Sequence, residues 1–328
     1  MPLRVPRSSL PHQAKPGFWV EESPDLDTLT WDLFVGSLGF ERRSRFFLER
    51  HGGEANRLLI SAYDSRRSQS YVENLDAAYR MGASVDIESD SQFVDAFQGR
   101  LFQAVGQTGV PRVLVDVSSC SRTRLAAMVS GLLRLERAEI DFVYTPGVFQ
   151  PPPDVRSALS FTGPVLPAFA GLPATTSSAG LTAIFGLGYE ALEALGALQL
   201  LEASEVWALL PVDEDKDYYE VVAAENDTLI EMVDADHVLS YDVLDAVGTF
   251  QLLEQLVYGT SENSRPVIVP LGPKVFALAA LLTSARFNRE VPVWRFSSDQ
   301  YSLPLDVSSS GEVSSMRVQV HAAVRAQT

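Results

Sequence analysis

Asp32-Leu-Phe-Val-Gly-Ser-Leu-Gly-Phe-Glu41 is repeated in outline by Thr182-Ala-Ile-Phe-Gly-Leu-Gly-Tyr-Glu190 in the second half of the chain. A second pair follows the same plan, because Val113-Leu-Val-Asp-Val-Ser-Ser119 and Val267-Ile-Val-Pro-Leu-Gly-Pro-Lys274 each precede an alanine-containing apolar run. Every copy has a short apolar strand, a small or polar turn and then a helical pattern. Phosphate-binding α/β domains are made from this unit. The repeat therefore predicts two related domains and marks the turns where a ligand is expected.

The order of elements predicts an α/β fold. Apolar runs of strand length alternate with helical patterns of ten or more residues, and such crossovers produce parallel sheets with helices on both faces. We expect one helix over Tyr219–Met232 and a last parallel strand over Val291–Phe296. At the C-terminal end, Leu303–Val307 and Met316–His321 flank the turn-rich stretch Ser308–Glu312, which indicates a β-hairpin.

The length of 328 residues suits two domains, each large enough to bury a core. Residues 1–25 read as a flexible lead and residues 26–150 as the first domain. A stretch rich in Pro, Gly and Ser, residues 151–178, predicts a connection. The second domain is expected over residues 179–300, followed by the hairpin and tail at 301–328.

The net charge is −16, and it is unevenly distributed. Residues 1–150 contain 17 Lys or Arg against 19 Asp or Glu, whereas residues 151–328 contain 9 against 23. So acidic a chain is a poor partner for duplex nucleic acid, because that binding depends on many cationic contacts with phosphate. The cation-rich first half suits a small phosphorylated ligand. The alternative is that its arginines pair with acids on a solvated surface.

Two further features concern location and partners. No apolar run reaches the ~18 residues of a membrane span, so we expect no membrane partner. The single cysteine, Cys120, cannot form an internal disulfide, which agrees with a reducing cytoplasm. We therefore expect a cytoplasmic protein, and the sequence leaves a homo-oligomer open.

Four turns follow the carboxyl ends of predicted strands, where open parallel sheets bind ligands: Ser37–Arg42, Ser118–Arg124, Gly186–Glu190 and Gly272–Lys274. Each is expected to present backbone N–H groups at a helix start, and hydroxyl or cationic side chains add further donors for phosphate. In the alternative reading, the glycines only permit sharp turns and Ser118 only caps a helix. The candidate ligand-binding residues are Ser37, Gly39, Arg42, Ser118, Ser119, Arg122, Thr123, Arg124, Gly186, Gly188, Gly272 and Lys274.

Three acidic residues lie near these turns. Glu41 and Glu190 occupy equivalent places near helix starts, where a carboxylate stabilises a helix by about 0.3–1 kcal/mol. We favour that explanation for both, and the alternatives are a contact with a ribose hydroxyl or a role as a base. Asp116 ends a strand directly before the Ser-Ser turn, but its counterpart is Pro270, so any role is confined to one half.

One motif favours a dinucleotide. Gly186-Leu-Gly-Tyr-Glu-Ala191 fits the Gly-x-Gly-x-x-Ala fingerprint, and Asp213 lies near the place of a ribose-binding acid. The matching turn of the first half, Gly36-Ser-Leu-Gly39, breaks the pattern. We therefore expect no resident cofactor and favour a nucleotide-type ligand over a dinucleotide of the NAD type. No Cys/His cluster suggests a metal, and we interpret the acidic run Asp213–Asp217 as a solvated loop rather than a cation site.

At Val113–Ala127 and Val267–Ala280 the chain resembles the Rossmann-like (CARF-like) sensor domains associated with CRISPR and other prokaryotic antiviral defence systems. In that family a strand, a small polar turn ending in Lys or Arg and an alanine-rich helix form part of a pocket for cyclic oligonucleotides. The usual Thr-Gly-Gly-Thr-Lys is absent from both copies here. The resemblance implies two tandem Rossmann-like domains and a separately encoded effector or partner protein. It also maps these residues onto the polar turns: Ser37, Ser118, Ser119, Arg122, Thr123, Gly272 and Lys274.

Three hypotheses about function follow. The first is a nucleotide-type ligand sensor or regulatory subunit that relays binding to a partner. The second is an enzyme that hydrolyses a nucleotide or phosphoester, with Asp116, Ser119 and Arg122 as catalytic candidates. The third is a non-catalytic scaffold subunit of a multiprotein complex, since a fold by itself does not establish an activity.

Overall fold

The computed structural model describes residues 17–106, 109–151, 159–171, 180–189, 191–212, 216–298 and 305–321. Strands alternate with helices along these ranges, and the α/β class predicted from the sequence is confirmed. None of the helices within the described ranges has the length and apolar character needed to span a bilayer.

The larger sheet has seven strands, and five of them are parallel to one another: β2 (Leu33–Leu38), β3 (Leu58–Tyr63), β4 (Val85–Glu88), β5 (Arg112–Asp116) and β6 (Ala138–Tyr144). Its helices are α1 (Phe46–His51), α2 (Tyr71–Arg80), α3 (Asp90–Val105) and α4 (Arg122–Leu132). The two remaining strands, β1 (Phe18–Glu21) and β13 (Ser314–Val320), are antiparallel to their neighbours. The spatial order of the strands is β1-β13-β6-β5-β2-β3-β4.

The second sheet has four strands, all parallel. Their spatial order is β10 (Val238–Asp242), β9 (Glu205–Val212), β8 (Gly180–Gly186) and β11 (Ser264–Pro270). The helices of this half are α5 (Ala191–Leu201), α6 (Lys216–Glu225), α7 (Asp227–Met232), α8 (Ala246–Thr260) and α9 (Lys274–Arg286).

The largest apolar cluster crosses from one half of the chain to the other. α4 packs against α9, and the cluster includes Leu125 and Met128 of α4 together with Phe276 and Leu281 of α9. Every residue of α9 from Val275 to Ala285 is buried. A helix that is apolar on all sides must be covered on all sides. The two sheets therefore share a core, and their carboxyl ends face a common region.

The predicted helix over Tyr219–Met232 is two helices in the structure. α6 ends at Glu225, α7 begins at Asp227, and the buried Asn226 lies between them. Its side-chain amide donates to the carbonyls of Gly188 and Val222, both at 2.8 Å. The apolar spacing gave no sign of this break, because the break depends on a partner from a distant turn.

The last strand also differs from the prediction. β12 (Trp294–Ser298) pairs antiparallel with β7 (Leu159–Pro164), which lies inside the stretch predicted as a connection. Val293, just before β12, makes a parallel bridge to Ile268. The predicted parallel strand over Val291–Phe296 is therefore confirmed only at Val293, whereas Trp294–Phe296 pair antiparallel, because an apolar run specifies a strand but not its partner.

The C-terminal hairpin is not confirmed. Met316–Val320 belong to β13, whose partners are β1 and β6. Residues 305–307 form no strand, and the preceding residues 301–304 lie outside the described ranges. Ser309 makes instead an antiparallel bridge to Gly147, which holds the predicted turn against the end of β6.

Candidate functional site

All four predicted turns border one cavity of about 500 Å³ at the carboxyl ends of the strands. The turn after β2 contributes Glu41, the turn after β5 contributes Arg122, and the turn after β8 contributes Gly188 and Tyr189. The turn after β11 contributes the whole of Gly272–Lys274. The remaining polar and aromatic lining comes from Arg43, Tyr144, Phe149, Gln150, Tyr218, Ser310 and Glu312.

Arg122 connects the two halves at the floor of this cavity. It is the first residue of α4, whose N-cap is Ser121, with the Ser121 hydroxyl accepting from the Arg124 N–H at 3.1 Å. The Arg122 guanidinium donates to the backbone carbonyls of Leu271 and Gly272. Its Nε is buried without a hydrogen-bond partner in the described structure. One donor at the floor therefore remains unused by the protein.

Tyr241, at the end of β10, has a second buried donor without a partner in the described ranges, close to Gly272 but outside the lining of the cavity. Its side chain is 4% exposed, and its hydroxyl has no hydrogen-bond partner among the described residues. A Cβ added to Gly272 would lie 3.1 Å from that hydroxyl and 2.2 Å from the Leu187 carbonyl oxygen. Burial, followed by the nearby Tyr144, raises the pKa of Tyr241, while the charge of Arg122 lowers it. The phenol is therefore neutral and can donate a hydrogen bond beside Gly272.

Glu41 and Arg43 form the ion pair at one end of the cavity. Arg43 Nε lies 2.6 Å from Glu41 Oε2, and Ser119 Oγ donates to the same oxygen at 3.4 Å. Burial lowers the pKa of Arg43, but Glu41 and Tyr144 more than offset this, so that the pKa is raised overall. Glu41 precedes a 3-10 helix, Arg42–Arg45, and makes no side-chain cap. The helix-start explanation favoured for Glu41 is therefore incomplete, because its carboxylate lines the cavity.

Aromatic rings line another part of the cavity. Tyr189 and Tyr218 meet edge to face with their ring centroids 5.0 Å apart, and Phe149 lies 6.4 Å from Tyr189. Tyr189 follows β8, Tyr218 lies in the first turn of α6, and Phe149 follows β6. Three elements thus bring their rings to one place, which gives this part of the cavity flat apolar surfaces with phenolic edges.

The turn after β8 is held by backbone contacts. Gly186 O accepts from the N–H groups of Leu271 and Gly272, both at 2.8 Å. A Cβ at Gly186 would lie 2.3 Å from the ring of Phe276, so glycine is required for the close approach of α9. Gly186 itself therefore shapes the site without lining it. Lys274 begins α9 and lines the cavity.

Several predicted site residues lie outside the cavity and hold the scaffold instead. The hydroxyl of Ser37 bonds that of Ser61 at 3.0 Å, and the Gly39 carbonyl accepts from the Asn74 amide at 2.9 Å. Thr123 Oγ1 accepts from Arg295 at 2.7 Å. The side chain of Arg42 is 58% exposed and lies 3.9 Å from Asp306. Their positions do not support direct ligand contact.

Arg124 was predicted to bind the ligand, and the structure places it in the core instead. Its side chain is 0% exposed, with the guanidinium 3.8 Å from the centre of the Tyr63 ring. It donates to Asp90 at 2.9 Å, to Ser61 at 3.1 Å and to the Glu88 carbonyl at 2.6 Å. A buried cation with these partners stabilises the fold and cannot contact a ligand in the cavity.

Asp116 and Ser118 are likewise structural. Ser118 Oγ accepts from the Thr145 N–H at 3.0 Å, and the Ser118 N–H donates to Asp116 Oδ1 at 2.9 Å. Burial raises the pKa of Asp116 from 3.8 to about 6, although hydrogen bonds from Ser118 and the charge of Arg43 oppose the shift. Asp116 is buried and does not line the cavity, so of the three catalytic candidates only Arg122 does.

Sequence reasoning did not assign Arg43, Tyr144, Phe149, Tyr189 and Tyr218 to the site. The sequence could have assigned Tyr189 to the site, because this residue lies inside the predicted Gly186–Glu190 turn. Glu190 lies outside the described residues, and so does Asp213, the ribose-binding acid of the dinucleotide alternative. Within those ranges, no three His, Cys, Asp or Glu side chains form a group that could hold a metal ion.

No protein-family profile matches the chain. No curated protein sequence is significantly similar to it.

Proposed function

We propose that the protein is a sensor or regulatory subunit that binds a nucleotide-type phosphorylated ligand in the cavity. The observation that carries the proposal is the convergence of four strand-to-helix turns on one cavity with Arg122 and Lys274 at the starts of α4 and α9. Cations at helix starts suit phosphate oxygens, and aromatic rings suit a base. Arg122 Nε, which is buried without a partner in the part of the chain that the structure describes, adds a further donor at this cavity-lining residue.

We also propose that the two halves are tandem Rossmann-like domains related by an internal repeat. The orders β4-β3-β2-β5 and β10-β9-β8-β11 are the same relative to chain order, and both match a doubly wound sheet. A buried asparagine donates to the first-turn glycine carbonyl in each half: Asn74 to Gly39 and Asn226 to Gly188. Equivalent contacts at equivalent turns favour duplication over coincidence.

Arg122 provides a route from ligand binding to a change of shape. It belongs to α4, and it donates to the carbonyls of the turn after β11. An anionic ligand competes for the same guanidinium, so binding would replace these contacts and shift one turn relative to the other. A separately encoded partner protein would bind the shifted conformation. The resemblance to CARF-like domains extends the proposal to a cytoplasmic role in antiviral defence.

Ligand-induced thermal stabilisation tests the proposal. Linear and cyclic nucleotides are expected to raise the melting temperature, because a ligand of the native state stabilises it by mass action. Arg122→Gln and Lys274→Gln are expected to weaken binding about tenfold or more, since hydrogen bonds to charged groups contribute about 1.5–3 kcal/mol. Arg42→Gln is the matched control, as Arg42 does not line the cavity and its side chain is exposed. Unchanged affinity in both cavity variants would contradict the proposal.

The enzyme alternative keeps one supporting contact. Ser119 Oγ donates to Glu41 Oε2 at 3.4 Å, and Glu41 lines the cavity although Ser119 does not. This is a long version of the contact between hydroxyl and carboxylate that a nucleophile and its base make. Turnover of a bound nucleotide that is lost in Ser119→Ala, with binding retained, would favour the enzyme. A lack of response to any nucleotide, together with a stable complex with another protein, would favour the scaffold.

A further inference from the structure

A groove of about 460 Å³ lies at the end of the second sheet that is opposite to the ligand cavity. The last turns of α5 and α7, which contact each other, form its walls, and the start of β9 lines it as well. We propose that this groove is the docking site for a segment of a partner protein that carries both apolar and basic side chains. The docking site goes beyond the proposed function and does not depend on a ligand.

The lining of the groove is largely apolar. Leu195 and Leu198 come from α5, Val206 comes from β9, and Met232 ends α7. The Met232 side chain is 67% exposed, although it is large and apolar. Unbranched thioether side chains adapt to partners of different shape, and apolar patches with a polar rim mark interaction sites. The groove therefore offers the apolar surface that a partner segment needs.

The rim of the groove is acidic. Glu202, Glu205 and Asp234 line it, and no Lys or Arg does so among the described residues. Glu205 is already engaged, because its carboxylate accepts from the Thr182 hydroxyl at 2.7 Å and lies 3.8 Å from His237. Glu202 and Asp234 are exposed, and neither makes an ion pair within the described ranges. Two available carboxylates beside an apolar groove complement Lys or Arg side chains of a partner.

Both helical walls of the groove are connected to the ligand cavity at their other ends. α5 begins two residues after Tyr189, which lines the cavity. Asn226, the N-cap of α7, donates to the Gly188 carbonyl at 2.8 Å. A shift of the Gly188–Tyr189 turn on ligand binding would therefore move both helices and change the groove. This coupling rests on the proposed function, whereas the docking site itself does not.

Fluorescence anisotropy of labelled synthetic peptides, titrated with the full chain, tests the docking site. The probes are a peptide with Leu and Lys at helical spacing, the same pattern with Leu and Glu, and the same pattern with Ser and Lys. We expect the Leu–Lys peptide to bind about tenfold or more tightly than either of the others, because it alone matches both the apolar lining and the carboxylates. Equal binding of the Ser–Lys peptide would indicate attraction by net charge alone and would overturn the proposal.

One pair of variants tests the apolar contact. Met232→Ser should weaken binding of the Leu–Lys peptide about tenfold, because an apolar side chain at the centre of a contact carries much of the binding free energy. Val72→Ser is the matched control, since it removes a similarly exposed apolar side chain from α2 and should leave the affinity unchanged. Equal losses in the two variants would overturn the proposal.

A second pair tests the charges. Glu202→Gln combined with Asp234→Asn should weaken binding about tenfold. Glu73→Gln combined with Asp76→Asn changes the net charge by the same amount at exposed positions of α2, so it is the matched control and should have no effect. A loss of the same size in both double variants would mean that the groove does not bind the peptide.

Two other occupants are distinguished by their own results. Residues 1–16 contain Arg4, Arg7 and Lys15 and no acidic residue, and a peptide of that sequence serves as a competitor. Tighter binding of this peptide than of the Leu–Lys peptide would assign the groove to the chain itself. A dimer in solution that Met232→Ser dissociates would assign it to a second copy. Either result would overturn a partner protein as the occupant.

The coupling is tested with the nucleotide that raises the melting temperature most. At saturation it should change the affinity for the Leu–Lys peptide about fivefold or more, and Asn226→Ala should reduce that effect. An unchanged affinity would overturn the coupling and leave the docking site standing. Failure of every nucleotide to bind would overturn the proposed function together with the coupling, and the peptide results would still decide the docking site.

Discussion

Arg122 and Arg124 show how two neighbouring cations of the same predicted role diverge. They are two residues apart at the start of α4, and positions so spaced point to different sides of a helix. Arg122 faces the cavity, while Arg124 points into the core beside Tyr63. The turn before α4 lies where the sequence predicts it, but the ligand contact predicted for Arg124 is wrong. Helical spacing could have separated the two roles, but only the packed partners Asp90 and Ser61 show which arginine is buried.

Arg124→Met is expected to destabilise the fold by about 3 kcal/mol, because it leaves the buried carbonyls and Asp90 without their cation. Arg122→Met should cost at most about 1 kcal/mol, since it removes hydrogen bonds of a partly exposed side chain. Urea unfolding of both variants measures the difference. Equal losses would contradict the assignment of Arg124 to the scaffold.

Asp116 predicts a specific pH dependence of stability. Its pKa is about 6 in the folded protein against an ordinary 3.8, mainly because of burial. The folded state therefore holds this proton more tightly, and the stabilisation is complete below the unfolded pKa and is lost as the pH rises through about 6. Relative to Asp116→Asn, the free energy of unfolding of the natural protein should fall by up to about 3 kcal/mol between about pH 4 and pH 7. Urea titrations across that range give the comparison, and parallel profiles would refute the shift.

Among elements, strands were easier to predict than their partners. The apolar runs before Asp116 and Pro270 gave β5 and β11 nearly to the residue. The antiparallel pairing of β12 with β7 was not predictable, because β7 lies in a stretch whose Pro and Gly content indicates a connection. The break between α6 and α7 depends on a hydrogen bond from Asn226 to a distant carbonyl, and apolar spacing carries no information about it.

The paired asparagines provide a test at this scale. Asn226→Ala and Asn74→Ala each leave a glycine carbonyl without its buried donor, so each should cost about 1–3 kcal/mol in urea unfolding. Their effects on binding should differ, because Gly188 lines the cavity and Gly39 does not. We expect nucleotide affinity to fall in Asn226→Ala and to persist in Asn74→Ala. The reverse pattern would contradict the location of the site.

At the scale of the whole molecule, the shared core between α4 and α9 is the feature that the sequence did not indicate. Duplicated strand–turn–helix units predicted two domains, each with a core of its own. The structure instead contains an apolar cluster with members from both halves, because both helices are buried on nearly every side. Periodicity shows that such a helix is buried, but not against which helix.

A shared core implies cooperative unfolding. Phe276→Ala removes a fully buried ring at the contact of α9 with β8 and should destabilise the molecule by about 3–5 kcal/mol. Differential scanning calorimetry is expected to show one transition that moves to lower temperature as a unit. Two transitions, of which only one moves, would indicate halves that fold independently.

The most direct test of the central claim is a crystal structure with a bound nucleotide. The account predicts phosphate oxygens within hydrogen-bond distance of both Arg122 and Lys274, with the Arg122 guanidinium turned away from the carbonyls of Leu271 and Gly272. A nucleotide bound elsewhere on the molecule, with Arg122 still on those carbonyls, would contradict it.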